Sequence, residues 1–503
     1  MNQFDVVIVG AGSAGCALAA RLTENPSRTV LLLEAGADLP GPHDPLLDGA
    51  VMAGAADGHE ANWSLTARLT AARTVSVPRG KVMGGSSTVN GGVFVRATPD
   101  DFDAWAALGN DEWSFPAVLP FLKRLESDLD FPGDELHGRD GPIPVARVPA
   151  NAMHPISDAF DTACRDLRYP IELDKNGLGP PGCGPLPRNI VDGVRVNAAQ
   201  AYINPNRHRA NLTIASRVTA RRVVFRGTRA TGVEIERDGT IETMHGDEIV
   251  LCAGAVMSAH LLMVSGIGPA EQLRRYAVDV VGDLAGVGTQ CRDHPQVFLG
   301  FVLSKAVSRK NTGIVEVALD TEVEGAPVSL IPYLSPMAEL VPGSGASATE
   351  LVLGVLLERA TSPVEISLAA AEPSHPPIID YHSLESAVDR TRMIAAVALG
   401  LTIVDSRAMR DLGLERTSPL PNEALDTWIS DNVTTAVHLC SSAPMGPDTD
   451  EMAVVDQYCR VRGVEGLRVV DTSILPTAPS RGPAATAVLI GERASEFFDG
   501  DST

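Results

Sequence analysis

Gly10, Gly12 and Gly15 follow directly on the apolar run Val6-Val7-Ile8-Val9, and Glu34 ends a second run, Val30-Leu31-Leu32-Leu33. Residues of these types in this order can hold a dinucleotide. Gly10 allows a tight turn, Gly12 removes the Cβ that would block a pyrophosphate, and Gly15 lets a helix pack closely on a strand. The phosphates then meet free N–H groups at the helix N-terminus, around Ser13 and Ala14. Glu34, followed by Ala35, offers a carboxylate to both hydroxyls of a ribose, which argues against a 2′-phosphate and leaves FAD or NAD. A βα turn without a ligand uses glycines of the same kind, so the acidic residue and the two flanking strands carry the weight of the reading.

Positioning these residues takes a strand, a tight turn, a helix and a second strand. Residues 6–9 have the length and β-branched content of a buried parallel strand, and residues 16–22 have helical spacing, so a Rossmann-type unit is expected here. Residues 216–236 read as strand, turn and strand around Arg226-Gly227. Residues 248–255 read as a buried strand that ends in a glycine turn and returns to the nucleotide sheet. Residues 39–59 and 339–350 read as long loops. A strand at 366–368 and a Pro-rich loop precede a helix over 386–405. An amphipathic helix over 486–498 is expected to lay its apolar face on the first strands.

At 503 residues the chain is too long for one core and suits two interleaved domains. Its net charge of −22, without a Lys/Arg cluster, disfavours nucleic acid and anionic membrane surfaces as partners. The seven cysteines form no CxxC pair and are odd in number, which reads as reduced thiols; Cys16 reads as core packing. No transmembrane segment or signal peptide is expected, so the location is read as cytoplasmic, with peripheral docking at a membrane left open.

A second glycine segment, Pro78-Arg79-Gly80-Lys81-Val82-Met83-Gly84-Gly85-Ser86-Ser87-Thr88-Val89-Asn90, is followed by Gly91-Gly92. Taken in order with the opening unit, His137-Gly138, Ala253-Gly254-Ala255, Ser265-Gly266-Ile267-Gly268-Pro269, Asp293-His294-Pro295, the stretch His438 to Gly446 and the stretch Gly466 to Asp471, it resembles the glucose-methanol-choline (GMC) family of FAD oxidoreductases. The resemblance implies an α/β fold with a Rossmann-type FAD-binding domain and a substrate domain built on an antiparallel sheet with helices. It places the FAD domain in 1–145, 195–296 and 432–503, and the substrate domain in 146–194 and 297–431. It implies FAD held by the opening unit and by Arg79, Gly84, Gly85, Gly91, Gly92, Ala253, Gly254 and Ala484. Glu34 would take the adenosine ribose, the backbone at Val218 would lie near the adenine, and Ser87, Asn90 and Asp471 would line the flavin side. Some members bond the flavin covalently through a histidine where this chain has Val89, so FAD is expected to be non-covalent; the remaining histidines lack metal-ligand spacing, so no metal is expected.

In the resembled family an alcohol carbon delivers hydride to flavin N5 while a histidine takes the hydroxyl proton, a task suited to imidazole. The matching residue is His438; His294 matches a histidine that is structural, near a domain crossing. The informative departure is Pro479-Ser480-Arg481-Gly482-Pro483, where most relatives carry His or Asn at the position of Gly482. Arg481 could stand in, offering charge to an alkoxide, the reduced flavin or an anionic substrate; water or a substrate-domain residue could complete the pair; or Arg481 could face solvent. This segment, with residues 90–98, also resembles the branch associated with the peptide-derived cofactor mycofactocin, which implies a dehydrogenase passing electrons from mycofactocinol toward a respiratory acceptor. An alcohol oxidase producing hydrogen peroxide, a flavin-containing lyase without net redox chemistry and a non-catalytic flavin-binding partner are the alternatives. The low aromatic content, 4%, suits neither a quaternary-ammonium cage nor a stacked aryl pocket especially well.

Overall fold

The computed structural model describes residues 3–41, 43–304, 313–420 and 422–498. Strand β1 (Gln3–Val9), helix α1 (Ser13–Leu22) and strand β2 (Val30–Leu33) form the opening unit. Later come β3 (Leu212–Ala215), β4 (Thr219–Arg226), β5 (Arg229–Arg237), β6 (Thr240–Leu251) and helix α2 (Gly254–Val264). Their strand order is β3-β2-β1-β6-β5-β4, with Leu467–Val469 beside β6. β6 is shared between two patterns: residues from Gln3 to Val9 pair with it in parallel, while β5 pairs with it antiparallel from Thr240 to His245. In the parallel register Val9 lies opposite both Leu33 and Leu251. The carboxyl ends of three strands therefore align, and the Gly10 turn, Glu34 and Ala253-Gly254 emerge along one edge, where open α/β sheets bind ligands.

Apolar burial holds this edge. Val7, Ile8, Val30 and Leu32 are fully buried, each worth about 1.5–3 kcal/mol relative to exposure. Helix α1 covers the sheet, with Cys16 among its buried residues. The C-terminal helix, α4 (Ala484–Ala494), differs from the amphipathic expectation. It is buried nearly all round and packs on α1 rather than on the first strands, because a Cβ at Gly491 would collide with the Ala14 carbonyl. Its buried Glu492 takes Arg21, Arg124 and the Tyr202 hydroxyl.

The second sheet contains β7 (Pro295–Leu303), β8 (Val317–Val323), β9 (Ala326–Pro332), β10 (Leu351–Leu357) and, after helix α3 (Ala387–Val404), β11 (Leu414–Ser418). Its order is β11-β7-β10-β9-β8 followed by Cys183–Pro185, all antiparallel. Side chains alternate across a strand. Val297, Leu299, Phe301, Leu353 and Val355 share a core with Met393, Ala396 and Val397 of α3. Their alternating neighbours Gln296, Phe298, Ala318, Asp320, Ser329 and Ile331 face a cavity on the other side.

Val364, Ile366, Leu368, Ile379 and Tyr381 are buried in the first core, and Ile378–Asp380 pairs with Leu65–Thr70, so this stretch belongs with the nucleotide half. Thr434–Thr435 instead pairs with the start of β7. No helix among the described residues is long and apolar enough to cross a membrane. All seven cysteines are free and buried.

Candidate active site

A cavity of about 550 Å³ runs from the carboxyl edge of the first sheet to the inner face of the second. Gly10, Gly12, Ser13, Ala14, Glu34, Ala35 and Val218 line one end, and Ser87, Asn90, Gly91, Asp471, Ala484, His438, Arg481 and Gly482 line the other, with Arg79, Gly85, Ala253 and Gly254 also in its wall. Gly15, Gly84 and Gly92 lie outside the lining. Gly15 packs against the Gly10 carbonyl, Gly84 against Thr88 and Asn197, and Gly92 against Ile190, so these three shape the backbone behind the wall rather than the wall itself.

At the first end the backbone does most of the work. Gly10 has φ +104°, and a Cβ there would lie 2.5 Å from the Cys252 carbonyl oxygen. A Cβ on Gly85 would lie 2.7 Å from the Gly12 Cα, so two glycines bring two loops together at the N-terminus of α1. Glu34 accepts from Ala11 N at 3.0 Å and Gly36 N at 2.8 Å. Burial pushes its carboxyl up to about 7 against the pull of these donors. Val218 N donates to the Glu34 carbonyl at 2.8 Å, drawing the adenine-side loop onto the acidic residue. Further along, Asp471 ties the structure together, accepting from Gly254 N and the Ser258 hydroxyl, while burial raises its carboxyl. The Ser87 hydroxyl is engaged by backbone, donating to the Gly84 carbonyl and accepting from Ala198 N, and Asn90 Oδ1 accepts from Gly92 N. Arg79 Nη1 donates to the Pro78 carbonyl, but its buried Nη2 has no partner among the described residues. A glycine cradle at a helix N-terminus, a ribose-side acid and an unsatisfied guanidinium nitrogen fit an FAD laid along the cavity.

At the second end the side chains are held by one another. Val437 has φ +58°, rare for a β-branched residue, and the turn it makes presents His438. Asp293 fixes that turn: its Oδ1 accepts from His294 N and His438 N, and its Oδ2 accepts from the hydroxyls of Tyr381 and Thr435. His438 Nδ1 lies 2.9 Å from His294 Nδ1, and His294 Nε2 donates to the Pro479 carbonyl at 3.0 Å. His294, expected to be structural, is seated directly against His438. Glu358 Oε2 lies 2.9 Å from the same His294 Nδ1. Burial opposes charge on His294, yet Glu358 and Asp293 outweigh it and raise its affinity for a proton. Burial, then His294, then Arg79 depress that of His438, which keeps it neutral.

The loop at 479–482 is anchored residue by residue. Pro479 is held by His294, Ser480 by Asp101 Oδ1 and Oδ2, and Arg481 by Glu172 at 2.8 Å and by the Lys175 carbonyl. Lys175 Nζ in turn bridges Glu172 and Asp320 at 2.7 and 2.8 Å. Arg481 is 9% exposed, which corrects the reading that it faces solvent, and its charge is balanced by Glu172 and Asp320. Asp320 is pulled down to about 2, since Lys175 and Arg481 outweigh the effect of burial. This loop brings Gly482 beside the imidazole: a Cβ there would sit 3.3 Å from His438 Cε1 and 3.4 Å from Nε2.

Gln296, Phe298, Asp320, Tyr333 and Glu358 were not singled out in the sequence. Gln296 and Asp320 are polar residues within mostly apolar strands, a signal that draws attention to them without saying which face they take. Phe298 and Tyr333 meet edge to face at 5.6 Å, so the wall is aromatic despite the sparse composition. Nor does sequence spacing reveal the two clusters of ligand-type atoms, His294/Glu358/His438 and Glu126/Asp128/His137. The second is crossed by ion pairs from Arg96 and Arg147, and in the first the two imidazoles contact each other at Nδ1.

Residues 4–296 match the N-terminal part of the GMC oxidoreductase family, and residues 360–491 its C-terminal part. An uncharacterized GMC-type oxidoreductase of Rhodococcus erythropolis is 39% identical over 99% of this chain and 98% of its own. An oxygen-dependent choline dehydrogenase of Vibrio vulnificus is 32% identical over 99% and 94%. The crystal structure of pyridoxine 4-oxidase from Mesorbium loti superposes with a TM-score of 0.90 at 30% identity, covering 100% of both chains. The chain belongs to the GMC oxidoreductase family and is an FAD-dependent oxidoreductase.

Proposed function

We propose that the protein oxidises an alcohol-type donor with His438 as general base, as a dehydrogenase whose donor is mycofactocinol and whose electrons pass to a respiratory acceptor. The observation that carries the base assignment is the His438 imidazole in the cavity wall beside the side-chain-free backbone of Gly482, and its lowered affinity for a proton agrees with it. Bound FAD supplies the hydride acceptor. The chain's own contribution is to seat the donor hydroxyl in the space left by Gly482, against His438, and to receive its proton. The N-terminus of α4 also opens on the cavity at Ala484, so its dipole favours negative charge developing there.

Arg481 serves this site by holding the loop; its charge is committed to Glu172 and Asp320, which favours a substrate-domain group or water as the partner of His438. FAD is held without a covalent bond, because Val89 offers the flavin no nucleophile. Acid precipitation is expected to leave all flavin in the supernatant, and flavin in the pellet would refute this. We place the protein in the cytoplasm.

The deciding experiment is anaerobic flavin bleaching with reduced mycofactocin, choline, pyridoxine and simple primary and aryl alcohols. Bleaching by reduced mycofactocin supports the proposed donor; bleaching only by the others removes it. A second reading, an oxidase that returns electrons to oxygen, is favoured by the likeness to pyridoxine 4-oxidase, and stoichiometric peroxide under air would select it. A lyase is favoured by the missing side chain at Gly482; a flavin that no donor bleaches would fit both it and a non-catalytic flavin-binding partner.

A further inference from the structure

The Nδ1 atoms of His294 and His438 approach to 2.9 Å, so one proton lies between them, and Glu358 Oε2 stands 2.9 Å from the His294 side of that contact. His294 Nε2 already donates to the Pro479 carbonyl, which accepts only, so the second nitrogen of His294 decides its charge. Two arrangements follow. With His294 neutral, its Nδ1 accepts from His438 Nδ1–H, and His438 Nε2 carries the lone pair of a base. With His294 protonated, its Nδ1–H donates to His438, and Nε2 of His438 carries a hydrogen and can only donate.

We propose that Glu358 and His294 are positioning residues that receive the substrate's proton at one remove: the hydroxyl proton enters His438 at Nε2, the hydrogen at His438 Nδ1 passes to His294 Nδ1, and the Glu358 carboxylate holds the imidazolium so formed. The inference rests on His438 being the base. The step balances without a further reactant. One O–H bond and one N–H bond break, two N–H bonds form, the hydride leaves separately to the flavin, and the pair is reset when the His294 proton is lost to solvent. The base-competent state is the one with His294 unprotonated, so flavin reduction rises with pH. Glu358 sets where it rises.

The other charges around the pair are committed. Asp293 is saturated by two backbone N–H groups and two hydroxyls, one of them from Tyr381. Arg481 is balanced by Glu172 and Asp320, and Arg359, next to Glu358, pairs with Asp101. Arg79, in the cavity wall, acts on His438 with the opposite sign to Glu358. Glu358 is thus the carboxylate that faces His294 without another cation of its own among the described residues, and it is 2% exposed.

The test is a pH titration of the oxidised holoenzyme labelled with ¹⁵N-histidine, with His294 assigned through His294→Asn. Glu358→Gln is expected to move the charged-to-neutral transition of His294 down by about one unit or more, the size of shift given by an opposite charge at this range. Glu358→Asp, which keeps the charge, should restore it to within about half a unit. With whichever of choline or pyridoxine bleaches the flavin, the rising limb of the reduction rate should move in the same direction in Glu358→Gln. An unmoved His294 transition in Glu358→Gln overturns the proposal, as does a shift that Glu358→Asp does not reverse. If His438→Ala reduces flavin at the normal rate, the base assignment itself fails, and that failure is separate from either outcome.

Discussion

The two ends of the cavity are built on opposite principles. Where the nucleotide fits, the chain removes side chains, at Gly10, Gly12 and Gly85, and satisfies its one buried acid with backbone N–H groups. At the His438 end, side chains from distant stretches hold one another: Asp293, His294, Tyr381 and His438 are joined by hydrogen bonds, and Glu358 stands at ion-pair distance from His294. The first arrangement is a property of local backbone shape and fails through steric overlap. The second is a property of charge balance and fails through an unpaired group. Substitutions at the two ends should therefore leave different signatures.

The sharpest separation comes from His438→Ala, which should keep FAD and fold while slowing anaerobic flavin reduction by about two to four orders of magnitude, the usual worth of a general base. Stopped-flow bleaching at the normal rate would erase the distinction. Gly10→Ala should do the reverse, losing FAD and about 3 kcal/mol of stability, because its Cβ would press on the Cys252 carbonyl at a positive φ. Denaturant titration with flavin content as a second readout checks it.

Next in size is Glu34. Its carboxyl, raised to about 7, binds more protons in the folded apoprotein than in the unfolded chain between the ordinary carboxylate range and pH 7, so its contribution to stability falls as pH rises through that window. Glu34→Gln should gain on the wild-type apoprotein by about 2–3 kcal/mol between pH 5 and 7.5 while binding FAD more weakly. Equal differences in melting temperature at both pH values would contradict this. The smallest effect is expected from Gly482→Ala. Gly482 is not at a positive φ, so stability should hold, but the added methyl 3.4 Å from His438 Nε2 should slow reduction about two- to tenfold. A rate above wild type would mean that the space at Gly482 serves something other than the donor.

The same contrast governs what was legible in the sequence. The Gly10 turn, Glu34, the returning strand β6 and the helix α3 announce themselves because each is written in consecutive residues with one period. At the reactive end both His438 as base and His294 as a structural histidine follow from the family resemblance, and nothing in Asp293-His294-Pro295 shows a ring lying across from residue 438. Gln296, Asp320 and Glu358 stayed hidden inside or beside apolar strands, since which alternate face looks inward depends on a sheet order that no local pattern encodes. Gly84 and Gly92 look identical to Gly85 and Gly91 in sequence and differ only in what stands behind them. The C-terminal helix was amphipathic by pattern, yet both its faces are covered.

The anchoring of residues 479–482 constrains how molecules travel. Arg481 reaches from the segment that follows the first sheet into Glu172 and the Lys175 carbonyl, and Lys175 continues to Asp320 on β8. Swinging the two halves apart would break these buried ion pairs and hydrogen bonds together. The cross-link ties the two halves of the cavity wall into one piece, so turnover should depend on the local shape of that wall rather than on any large-scale opening of the protein.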